Sequence, residues 1–219
     1  MRTRIAVLIL FACVALVSTA TTARADMCVA VDVRFPDSTP TAALVRSMRD
    51  EVAAIWLPYG VHVLPAEEIE CECAHLGGSF DVVVSRSRSR HAVNTNGGVL
   101  GRTHLQPGSI DHAPIQIDSE ATKLALESLG VQMTGLTGHP VLTSTEIGRA
   151  LGRVLAHEIG HVLLAAPNHQ RQGLMRPSYP PADLASIQRW TFTLSPGELV
   201  RLRQREGILG ATTGVNRPD

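Results

Sequence analysis

His157-Glu158-Ile159-Gly160-His161 places two imidazoles four residues apart, with a carboxylate beside the first. On an α-helix, residues four apart stack one turn above each other on the same face. Two ring nitrogens held that way can converge on one Zn²⁺ at about 2.0–2.1 Å each. Glu158 is one residue on from His157, so it cannot share their metal face as a third ligand. Its expected work is to hold a water and take its proton, as the general base of a metal-dependent hydrolase. A third protein ligand and an open fourth position complete such a site.

The helix that must carry this motif is announced locally. Thr143 and Glu146 form a T-x-x-E capping box, which predicts a start near Ser144. Ile147, Leu151, Val154, Leu155, Val162 and Leu163 keep a helical apolar period through the motif. Ala165, Ala166 and then Pro167 mark the expected end.

From the motif onward the chain reads HEIGHVLLAAPNHQRQGLMRP, and this resembles the metzincin clan of zinc peptidases. In that clan HExxH is followed by a turn, a third His or Asp, and a methionine-containing turn beneath the metal. The resemblance implies that His169 is the third ligand and that Gly173-Leu174-Met175-Arg176-Pro177 is the Met-turn, with Met175 as the hydrophobic base. It also makes Tyr179 a candidate contact to the zinc or to a transition-state oxyanion. The clan sets its third ligand six residues after the second His, with a Gly midway. Here the gap is eight residues and Leu164 stands at the Gly position. Pro167 stops the helix and Asn168 tolerates a left-handed conformation, so a wider loop can return His169 to the metal. Asp183 and Glu198 are the rival ligands. Ser195-Pro196-Gly197-Glu198 reads as a second capping box with Pro at the first helical position, which gives Glu198 a structural role. Asp183 lies in a Pro-rich loop without a spacing argument.

The N-terminus reads as a secretory signal over residues 1–25. Arg2 and Arg4 are its positive region, Ile5 to Val17 its apolar region, and Ala23-Arg24-Ala25 its cleavage site. Cleavage after Ala20 is the second choice, and lipid attachment at Cys13 a weak third because Phe11 suits a lipobox poorly. The expected location is therefore outside the cell or in the periplasm. No other stretch is long and apolar enough to span a membrane. The full chain carries 20 Lys+Arg against 20 Asp+Glu, so losing Arg2, Arg4 and Arg24 turns a balance of zero into a net charge of −3. That argues against a nucleic-acid partner. The one basic cluster, Ser85 to Arg90, reads as a solvated loop.

Cys28, Cys71 and Cys73 remain after the signal, and an oxidising compartment favours a disulfide from Cys28 to Cys71 or Cys73. Cys71-Glu72-Cys73-Ala74-His75 is alternatively a second metal site.

Residues 26–219 suit one domain with a sizeable core. Strands are expected at Val29–Phe35, Val61–Leu64, Asp81–Ser85, Val99–Leu105 and Ile115–Asp118. Helices are expected at Thr41–Leu57, Ala121–Leu129, from Ser144 through the motif, and from Pro196 to Glu206. This is an α+β, zincin- or metzincin-like single domain: a twisted mixed sheet with an HExxH helix and a C-terminal helix. The resemblance implies a peptide or protein substrate lying along an edge strand, with 99–105 the first candidate and 115–118 the second. His62, His91, His104, His112 and His139 have no paired spacing and read as ordinary surface or hydrogen-bonded residues. The expected function is that of a secreted zinc-dependent endopeptidase. The alternatives are a secreted zinc-binding module without proteolytic activity, and an adhesin-like module in which HExxH is incidental.

Overall fold

The computed structural model describes residues 27–68, 75–86, 99–103, 114–134 and 142–213. The expected signal peptide, Cys13, Cys71, Cys73, most of the Ser85–Arg90 run, and His91, His104, His112 and His139 lie outside the described residues.

The architecture is α+β around a five-stranded mixed sheet of order β2-β1-β3-β5-β4. The strands are β1 (Met27–Arg34), β2 (Val61–Pro65), β3 (His75–Ser85), β4 (Gly101–Arg102) and β5 (Ile115–Asp118). β1 runs parallel to β2 and β3, β3 runs parallel to β5, and β4 is antiparallel to β5. Met27 through Val31 are all buried, as a central strand covered on both faces requires. Phe80, Val82 and Val84 in β3 and Ile115 and Ile117 in β5 are buried at alternate positions.

The described residues form five α-helices: α1 (Ala42–Trp56), α2 (Ser119–Thr134), α3 (Ser144–Leu163), α4 (Pro181–Ala185) and α5 (Pro196–Thr213). Thr41 caps α1 by accepting from the Leu44 amide at 3.2 Å. α3 starts with the full capping box: the Thr143 hydroxyl accepts from the Glu146 amide, and Glu146 accepts from the Thr143 amide at 2.8 Å. That amide bond also holds the Glu146 carboxyl below its usual range.

α1 and α3 meet backbone to backbone. A β-carbon on Gly148 would stand 2.4 Å from the Leu44 carbonyl oxygen, and one on Gly152 would stand 2.6 Å from that of Met48. Only glycine fits at either position. This contact seats α3 against α1 on one side, while α3 also packs on β4 and β5. The HExxH motif therefore sits on a deeply buried helix, with every residue from Ala150 to Leu163 buried.

Several boundaries differ from the sequence reading. β3 begins at His75 rather than Asp81, because the strand continues through a bulge at Gly77-Gly78. A β-carbon on Gly77 would stand 2.5 Å from the Met27 sulfur, and Gly78 has φ +146°. α2 begins at Ser119 because Asp118 closes β5 and then caps the helix, accepting from the Glu120 and Ala121 amides at 3.0 and 2.9 Å. It also runs past Leu129 to Thr134. The short helix α4 forms where a Pro-rich loop is expected, with Pro181 at its first position. α5 continues through Gly207 and Gly210 to Thr213. Of the expected Val99–Leu105 strand, β4 comprises Gly101–Arg102, and residues 104 and 105 lie outside the described residues.

Cys28 is buried and disulfide-bonded. No described helix is long and apolar enough to cross a membrane.

Candidate metal centre

The His157 and His161 rings project from successive turns of α3, and each is fixed by a backbone carbonyl behind it. His157 Nδ1–H donates to the Leu174 carbonyl at 2.7 Å. His161 Nδ1–H donates to the Ala166 carbonyl at 2.8 Å. Both bonds place the proton on Nδ1 and leave the Nε2 lone pair facing the site. The two Nε2 atoms are 3.0 Å apart. Two lone pairs at that distance repel unless a cation stands between them. A tetrahedral metal with bonds of about 2.05 Å would set its nitrogens about 3.3 Å apart, so the pair is within a few tenths of an ångström of that spacing.

His169 closes the third side. Its ring lies 5.2 Å from that of His157 and 4.9 Å from that of His161, stacked on the first and edge-on to the second. Ligand atoms of all three lie within 4.8 Å of one another, with two histidines buried and His169 exposed. The donor set thus fits a metal ion with an accessible face.

The turn that returns His169 differs in detail from the expected one. α3 ends at Leu163, and the left-handed residue is Ala165, at φ +46°, rather than Asn168. The Ala166 amide donates to the His161 carbonyl at 3.2 Å and the Ala165 amide to that of Val162 at 3.1 Å. These paired bonds form a Schellman cap with alanine where glycine is usual. The same cap aims the Ala166 carbonyl at His161 Nδ1, so one turn ends the helix and orients the His161 ring.

Met175 lies beneath the motif. Gly160 sits between the two ligand turns, and a β-carbon there would stand 2.4 Å from the Met175 sulfur. Gly173, at φ +84°, lets the Met175 segment pass against Thr193, whose carbonyl accepts from the Leu174 amide at 2.8 Å. Leu174 in turn supplies the carbonyl that holds His157.

Tyr179 is placed behind His157. Its hydroxyl donates to the Leu174 carbonyl and lies 3.1 Å from His157 Nδ1, the nitrogen opposite the one that faces His161. Burial raises its pKa, with Arg176 over the ring opposing the shift, so it stays a neutral donor. Tyr179 thus lies behind His157, on the side of the ring away from His161. The two rival ligands are engaged elsewhere. Asp183 pairs with Arg176. Glu198 accepts from the Ser195 amide at 2.6 Å while Ser195 caps the Glu198 amide at 3.3 Å, the expected capping box.

No protein-family model matches the chain, and no curated protein matches its sequence. What the site can do therefore rests on its own electrostatics. Burial pulls the His157 pKa down to about 4, against the carbonyl of Leu174 and together with its two neighbouring histidines. Burial likewise lowers that of His161, opposed by Ala166. Both rings are neutral near pH 7, the state a metal requires. Glu158 is buried too, and its pKa is pushed up to about 7, opposed by the Thr103 hydroxyl. A carboxyl poised there exchanges protons near neutral pH.

A buried ionic cluster supports this arrangement and was not anticipated from the sequence. Arg153, fully buried one turn before His157, donates to Glu51 at 2.7 Å. It also donates to the carbonyls of Asp183, Leu184 and Gln188. Arg189 takes the second Glu51 oxygen at 2.7 Å. One guanidinium thus ties α1 and α3 to the segment that follows Met175. The available signal was Glu51 itself, an acid three residues after Met48 on the apolar face of α1.

Proposed function

We propose that this protein is a zinc-dependent endopeptidase of metzincin type, active outside the cytoplasm. The observation that carries the proposal is the convergence of His157, His161 and His169 on one point, with Glu158 free of the ligand set. A structural zinc site has no use for a proton acceptor and commonly fills all four positions with Cys and His. Three histidines with one open side favour catalysis. The metzincin type is supported by Met175 under Gly160 and by an antiparallel strand, β4, at the sheet end nearest the motif.

His157, His161 and His169 would hold the ion. Bound there, zinc supplies Lewis acidity, lowering a water's pKa toward about 7 and polarising a carbonyl. Leu174 and Ala166 keep the first two rings in the ligating tautomer throughout. Glu158 accepts a proton from the attacking water and delivers it to the departing amine. The exposed side of His169 leaves the approach open for an extended peptide.

The test is digestion of casein by the purified, zinc-loaded protein, with new N-termini counted. The wild type should generate them and Glu158→Ala should not, although it keeps its zinc. A zinc-loaded wild type that leaves casein intact supports a metal-binding module instead.

A further inference from the structure

The proton acceptor is covered by a strand that the mechanism above does not use. Gly101 and Thr103 lie two residues apart along β4 and its end, so their side-chain positions fall on one face. The intervening Arg102 is exposed. Thr103 Oγ1 donates to Glu158 Oε2 at 2.7 Å. A β-carbon on Gly101 would stand 2.6 Å from Glu158 Oε1 and 2.8 Å from Val154 Cγ1. The backbone that presents both is fixed by pairing of Gly101 with Ile117 and by the Asp118 amide, which donates to the Leu100 carbonyl at 2.8 Å.

We propose that Thr103 is the positioning residue for Glu158, holding its carboxylate in one rotamer while Gly101 leaves the room that rotamer needs. This rests on the reading of Glu158 as proton acceptor. A glutamate carboxyl turns about three side-chain bonds, and a proton transfer requires it within hydrogen-bond reach of its partner. Among the described residues, Thr103 is the hydrogen-bond partner of that carboxyl. Its hydroxyl engages Oε2 while Oε1 lies against Gly101, so the two residues together fix the carboxyl's rotation. Because Thr103 belongs to the edge of the sheet, a peptide that docked on β4 would press on the segment that aims the base.

The test compares wild type, Thr103→Val, Thr103→Ser and Glu158→Gln, all zinc-loaded, in saturation kinetics on quenched fluorescent casein. Thr103→Val should lose about 10- to 100-fold in kcat with KM changed by less than about twofold. Thr103→Ser, which restores the donor, should return kcat to within about threefold of wild type. Full kcat in Thr103→Val beside an inactive Glu158→Gln overturns this inference and leaves the proposed function standing. Loss of kcat and KM together, without rescue by Ser, marks a structural role and also overturns it. An active Glu158→Gln, or an inactive wild type, overturns the proposed function itself. A crystal structure of the zinc-loaded wild type decides the geometry independently of substrate. A Thr103–Glu158 separation near 2.7 Å is expected, and one beyond about 3.5 Å contradicts the proposal.

Discussion

Gly160 and Met175 touch so closely that no side chain fits between them: a β-carbon on Gly160 would stand 2.4 Å from the Met175 sulfur and 3.5 Å from Trp56. The contact joins the helix between its two ligand turns to the segment whose Leu174 carbonyl holds His157. Helix, Met175 and the support of His157 are therefore packed as one unit. Gly160→Ala should destabilise the protein by about 1–3 kcal/mol through overpacking. Combining it with Met175→Ala should recover part of that loss, as a double-mutant cycle by urea denaturation would measure. Additive losses would mean that the two residues do not share the strain.

Ala165 bears a left-handed conformation that alanine disfavours by about 1–2 kcal/mol. Ala165→Gly should raise stability by up to about 1 kcal/mol, after allowing for the greater freedom of glycine in the unfolded chain. Thermal melts of the metal-free variant check this. Zinc affinity should stay the same, because the Ala166 carbonyl keeps its aim.

Arg153→Met removes the central guanidinium and leaves Glu51 buried with Arg189 alone. The expected cost is about 3 kcal/mol in urea denaturation. The carbonyls of Asp183, Leu184 and Gln188 lose their shared donor in the same change, so limited proteolysis should nick residues 183–190 faster than in wild type. Unchanged stability and unchanged nicking would together show that Arg153 does not clamp these segments.

Opposite pH dependences are built into the metal-free site. Folding lowers the His157 pKa from 6.5 to about 4, so the unfolded chain takes up that proton first and stability is lost as pH falls from 6.5 toward 4. Folding raises the Glu158 pKa from 4.5 to about 7, so the folded state keeps that proton and stability is lost as pH rises from 4.5 toward 7. Glu158→Gln removes only the second dependence. Metal-free Glu158→Gln should therefore match wild type near pH 4 and exceed it by about 3 kcal/mol above pH 8. Parallel stability curves for the two proteins across that range would show that Glu158 is not desolvated as described.

Local, short-range chemistry made the site largely legible before any fold was known. Thr143 and Glu146 set the start of α3, and the period of four set both ligand turns. His169 entered through its order after the motif, since no local rule gives the path of the Ala165–Asn168 turn. Contacts between distant segments stayed hidden. Gly77-Gly78 carries a turn signature, and only the Met27 side chain across β1 explains why the strand runs through it. Arg153 reads as an ordinary helical residue until Glu51 and the segment after Met175 close around it. Thr103 stood inside an expected strand, and what gives it a role is a carboxyl 55 positions away in the chain. The edge position of β4 was anticipated by analogy, whereas its contact with Glu158 depends on tertiary packing alone.

On the proposed function, three histidines from two segments close on one metal ion while Glu158 stays outside the ligand set. Calorimetric titration of the metal-free protein with zinc, run beside His169→Ala and Glu158→Ala, tests this most directly. Wild type should bind one equivalent, Glu158→Ala should keep the same affinity, and His169→Ala should lose about 100-fold or more. Wild-type affinity in His169→Ala, or no zinc binding by the folded wild type, would contradict it.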